Sequence, residues 1–154
     1  MRYIVFFILI LALFASVACT ATPDAVLDSL GEYSTKGFYT SGGFQDYTDY
    51  AKYTYEDIDI SDNTYFEIIT TESKAELDTH IEDFEKWIKA ISESDPKNEV
   101  VENYDFDNSI ISFDDYLYIY DDPDYIEAGF PLGYYNVYFL DTETLTVYFF
   151  HNNI

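Results

Sequence analysis

Apolar side chains recur at Leu77, Ile81, Phe84, Ile88 and Ile91, at steps of four and three, with Trp87 flanking the same stripe. That spacing keeps one side of an α-helix apolar and requires a second surface to cover it. Ser73-Lys74-Ala75-Glu76 has the form of a capping box, in which the serine oxygen accepts an N–H three residues on and the glutamate reaches back. Asp95-Pro96 ends the pattern, because the residue before a proline is pushed out of the helical region. The spacing predicts a helix over 73–94. Glu82 with Lys86, and Glu85 with Lys89, supply Glu-before-Lys pairs for its solvent side.

The covering surface is read from alternation. Residues 116–120 alternate strictly, and 134–140 and 145–150 are two β-rich runs around the turn Asp141-Thr142-Glu143-Thr144. Tyrosine and threonine content marks 50–57 as a strand and 65–70 as another. Gly37, Ser41, Gly42 and Gly43 mark 34–43 as loop. Val26, Leu27 and Leu30 fit a helix of about two turns, with Thr22 as N-cap and Pro23 at the first helical position, or else a weakly ordered tether. The expected architecture is α+β: an antiparallel sheet of about five strands with one long amphipathic helix packed on one face. Domain boundaries fall at 1–18 for a leader, 19–43 for a tether with the short helix and loop, and 44–154 for a single domain.

Side chains along a strand alternate faces. Leu117, Ile119, Val137, Phe139, Leu145, Val147 and Phe149 make an aliphatic set fit to receive the helix. Tyr116, Tyr118, Tyr120, Tyr138 and Tyr148, with Asn136, Thr146 and Phe150, are assigned to the opposite face. Two readings of that tyrosine face stand open. Either the N-terminal segment packs over it, or it is a ligand platform for a sugar, a peptide or a protein, since Tyr combines large contact area with a polar tip.

Charge narrows the partners. The chain carries 30 acidic residues against seven basic ones, a formal −23. No basic stripe exists to track phosphates, so nucleic acid is excluded. Such a field attracts basic partners by steering and also keeps a tyrosine-rich surface soluble. The 17 Tyr and 13 Phe place the chain among folding rather than disordered acidic sequences.

Residues 3–15 form an uncharged run behind Arg2, short of a membrane span and matched to the apolar core of an export signal. Ala15, Ser16 and Ala18 then precede Cys19, the only cysteine. This order resembles a bacterial lipoprotein signal, although Ser16 stands where leucine is usual. The resemblance implies cleavage after Ala18, acylation of Cys19 and anchoring on the extracytoplasmic side of the cell membrane; cleavage without a lipid is the alternative.

Catalytic chemistry finds little in the sequence. His80 sits near the edge of the helix stripe and His151 ends the last strand, and no cysteine remains for nucleophilic work. Asp57, Asp59 and Asp62 place oxygens at near-alternate positions as weak calcium candidates, but the run lacks the glycine and closing glutamate of an EF-hand loop. No cofactor is expected. The sequence therefore reads as an exported, lipid-anchored, acidic binding domain for a protein or glycan. An acidic inhibitor of a basic partner is the alternative, and a carboxylate-dependent hydrolase the least favoured.

Overall fold

The computed structural model describes residues 24–43 and 46–154. In chain order the elements are α1 (Ala25–Asp28), β1 (Thr35–Thr40), β2 (Tyr47–Thr54), β3 (Glu67–Ile68), α2 (Thr71–Ser94), α3 (Glu99–Asn103), a 3-10 turn (Asn108–Ile110), β4 (Tyr116–Asp121), α4 (Pro123–Glu127), β5 (Tyr134–Asp141) and β6 (Thr146–Asn153). The six strands form one antiparallel sheet in the order β1-β2-β6-β5-β4-β3. The fold is α+β; the described residues hold six strands where about five were expected, and three short helices beside the long one.

The long helix forms where the stripe places it and starts two residues earlier. Thr70, not Ser73, is the N-cap: its side chain accepts from Ser73 N at 3.2 Å, while Ser73 Oγ accepts from Thr70 N at 2.9 Å. Ser73 is thus the returning member of the capping box. Leu77, Ile81 and Phe84 are buried against the sheet, with Tyr50, Leu117, Tyr135, Val137, Phe139 and Phe150 on the strand side. Burying a side chain of this size stabilises by about 1.5–3 kcal/mol, so this layer supplies the main hydrophobic driving force. Lys74–Asp78, at 2.9 Å, is the i,i+4 ion pair the helix makes among the described residues, in place of the two Glu–Lys pairs expected.

Residues 34–43, expected as loop, contribute the sixth strand. Thr35 to Thr40 pair with Thr54 to Asp49 along the free edge of β2. Gly42 and Gly43, at φ 69° and 137°, turn the chain back beyond it, where side chains are disfavoured. The end of this edge is closed by α3: Glu99 Oε1 accepts from Thr40 N at 3.2 Å, and Asn98 donates to Ser41 O at 3.0 Å.

A second core lies on the other face of the sheet. Val26, Leu27 and Leu30 of the α1 segment, with Tyr55 and Phe66 from the β2–β3 connection, pack on Ala51, Tyr53, Tyr138, Leu140 and Val147. The expected short helix is present as a single turn, capped by Asp24, whose Oδ1 accepts from Val26 N at 3.0 Å and Leu27 N at 3.3 Å. Thr22, Pro23 and Cys19 lie outside the described residues. Among the described residues, no helix is long and apolar enough to cross a membrane.

Candidate binding surface

Register sorts the tyrosines. Tyr118 pairs with Tyr138, which pairs with Phe149; Phe139 pairs with Tyr148. Cross-strand partners share a face, so Tyr116, Tyr118, Tyr120 and Tyr138 lie together while Tyr148 stands on the helix-bearing face beside Phe106 and Phe139. The facing assigned to β6 from its aliphatic content is thereby reversed: Val147 and Phe149 belong with the tyrosines, Tyr148 and Phe150 with the helix. An even, four-residue turn between β5 and β6 already carries this parity.

Within the tyrosine face, α1 covers one half. Tyr138 is buried, and its hydroxyl donates to Asp24 Oδ2 at 2.7 Å. Burial and then this carboxylate push its phenol well above the ordinary range. Tyr118 lies between Tyr65 and Tyr138, with ring centroids at 5.4 and 5.9 Å, and is half-buried; Tyr116 is half-buried beside the second core. Of the sequence candidates on this face, Tyr120 alone is exposed.

The uncovered half carries a run of rings that sequence reading did not join. Tyr47, His151, Tyr134 and Tyr125 follow one another at centroid distances of 5.0, 5.1 and 5.9 Å, and Tyr120 stands edge-on to Tyr134 at 6.5 Å. Asp49 and His151 face each other across β2 and β6, 8% and 4% exposed. His151 Nδ1 lies 3.0 Å from Tyr135 O and 2.8 Å from Asn136 Oδ1, both acceptors, so Nδ1 holds the proton and Nε2 keeps a lone pair. Burial holds this imidazole below its usual pKa and raises the Asp49 carboxyl. His151 Nε2 and Asp49 Oδ1 are buried and have no hydrogen-bond partner among the described residues.

Beyond Tyr125 the surface turns apolar. Tyr125 packs against Gly133, where a Cβ would meet its ring at 2.4 Å, and its hydroxyl donates to Asn153 Oδ1 at 3.1 Å. Phe130 N donates to Tyr125 O, and Ile154 N to Gly133 O, each close to 2.8–2.9 Å. This holds Phe130 (62% exposed) and Ile154 (40% exposed) around a cavity of about 450 Å³, with Asp124 on its rim. Ile126 of α4, whose N-cap is Asp122, is also exposed.

The remaining acidic and histidine candidates are parts of the scaffold. Asp57, Asp59 and Asp62 are exposed; Asp59 accepts from Ser61 N and Oγ in a local turn, which lowers its pKa. Among the described residues, no group of three or more His, Cys, Asp or Glu converges in a way that could hold a metal. His80 is buried, with Nδ1 2.9 Å from Glu76 O and Nε2 2.9 Å from Asp121 Oδ1. It ties α2 to the end of β4.

No protein-family model matches the chain, and no curated protein or solved structure matches it.

Proposed function

We propose that the chain is an exported binding domain, anchored by lipid at Cys19 on the extracytoplasmic side of the membrane, that docks a basic protein on the open half of its tyrosine face. The observation that carries this reading is the exposed pair Phe130 and Ile154 around half-buried Tyr125, held in place by backbone hydrogen bonds and rimmed by carboxylate. Large apolar side chains fixed at a surface mark interaction sites, and aromatic anchors dominate such contacts. The adjoining run of rings from Tyr47 to Tyr125 offers aromatic faces, which suit a cationic side chain. A net −23 steers basic partners and repels acidic ones. An inhibitor that occludes a basic enzyme or toxin uses the same chemistry and is the second form of this reading.

Titration of the isotope-labelled domain with an amphipathic Lys/Leu peptide tests it by NMR. Shifts confined to Tyr125, Phe130, Ile154 and their neighbours, weakening as salt rises, support the proposal. Shifts scattered over the acidic surface, or none, contradict it.

A further inference from the structure

A second concave site lies on the opposite face, at the β1 side of the sheet, where α2 does not reach. Its floor is built from two cross-strand rows. Thr35, Thr54 and Thr146 are register partners across β1, β2 and β6; Gly37, Lys52 and Tyr148 form the next row. Together with Tyr39 they line a cavity of about 440 Å³. Gly37 is there for a steric reason: a Cβ at this position would meet the Tyr39 hydroxyl at 2.8 Å, so glycine lets the phenol fold over the sheet.

We infer that this pocket binds a neutral saccharide. The backbones of β2 and β6 are paired on both sides within the sheet and that of β1 on its inner side, so recognition across the floor falls to side chains. Those side chains offer hydroxyls, each both donor and acceptor, and such groups match sugar hydroxyls, which are likewise both. Neighbouring strands set the threonines about 4.8 Å apart, a spacing on the scale of a sugar ring. Thr146 Oγ1 donates to Thr144 O at 3.3 Å and accepts from Thr54 Oγ1 at 3.4 Å, so this joined pair offers acceptors, while Thr35, Tyr39 and Tyr148 supply the donors. The half-buried rings of Tyr39 and Tyr148 supply the apolar surface on which the C–H face of a sugar rests. Neutrality follows from charge: of the two lysines in the lining, Lys52 is held by Asp105 and Lys36 places its ammonium over the Phe38 and Tyr53 rings of the other face, while the net charge of the chain repels anions. This site is separate from the Tyr125 surface and stands or falls without it.

Titration of the labelled domain with cellohexaose, xylohexaose, maltohexaose and chitohexaose at millimolar concentration is the test. At least one is expected to move resonances of Tyr39, Thr54 and Tyr148, with affinity lost tenfold or more in Tyr148→Ala and unchanged in Tyr118→Ala on the other face. Because Tyr148 also packs on Phe106, Thr35→Val at the exposed edge serves as the second variant, with an expected loss of threefold or more in a folded protein. No response at these residues to any of the four, or tighter binding of hexagalacturonate than of every neutral oligosaccharide, overturns the inference.

Discussion

The Tyr138 hydroxyl donates to Asp24 at 2.7 Å, joining the middle of β5 to the N-cap of α1 across 114 positions of sequence. One carboxylate therefore does two jobs. Oδ1 caps the helix and Oδ2 receives the phenol, so the segment covering half of the tyrosine face is fastened at its first residue.

Loss of that hydroxyl is expected to loosen the cover. A hydrogen bond to a charged group contributes about 1.5–3 kcal/mol, so Tyr138→Phe should lower unfolding stability by an amount in that range. Asp24→Ala should cost about 1 kcal/mol more through the lost cap. Urea denaturation of the two variants and the double variant should give non-additive losses.

The two histidines are expected to titrate in opposite directions. Burial pulls His80 down, but its contacts with Asp121 and the Glu76 carbonyl outweigh that and hold it above the usual value. Its contribution to stability is full below about pH 6.5 and is lost as pH rises through the folded pKa. Burial depresses His151, so its contribution is present above about pH 6.5 and falls away as pH drops through the folded pKa. Imidazole resonances followed by NMR should place one midpoint above and the other below the free value. His80→Asn should flatten the loss of stability on the alkaline side.

Leu145 is the one described non-glycine residue with positive φ, at 51°. It closes the β5–β6 turn, where Asp141 accepts from Glu143 N at 2.9 Å and from Thr144 Oγ1 at 2.7 Å. β-Branching is poorly tolerated in that conformation. Leu145→Val should therefore destabilise by about 1–2 kcal/mol, and Leu145→Asn by less, because Asn visits the left-handed region readily. Thermal melts of both variants give the comparison.

Gly133, itself buried, fixes the candidate surface. A methyl group there collides with Tyr125 and approaches Phe130 O at 3.1 Å. Gly133→Ala is expected to displace Tyr125 and weaken binding of the Lys/Leu peptide at least fivefold, while circular dichroism still reports a folded sheet. Retained affinity would detach Tyr125 from the binding surface.

Much of the architecture was legible because its causes are local. The stripe from Leu77 to Ile91 and the alternation from Tyr116 to Tyr120 follow from helix and strand periodicity alone. The edge strand β1 was not, since Gly37 resembles a loop residue until Tyr39 is seen lying over it. The side faced by β6 was misread because Leu145, Val147 and Phe149 look as core-like as Thr146, Tyr148 and Phe150 look exposed; turn parity was the better guide. Of the proposed surface, the sequence marked Tyr120 as a binding residue and His151 only as a catalytic candidate. The rest assembles from β2, β6, α4 and the loop to Gly133, and no short-range pattern links them.

Photo-crosslinking in the producing cells, with benzoylphenylalanine in place of Phe130, shows whether this surface docks a basic protein. One dominant adduct with a basic protein is expected, lost when Asp124→Lys and Tyr125→Ala are introduced together. Adducts with no protein, or with acidic proteins in an unselective ladder, would contradict it.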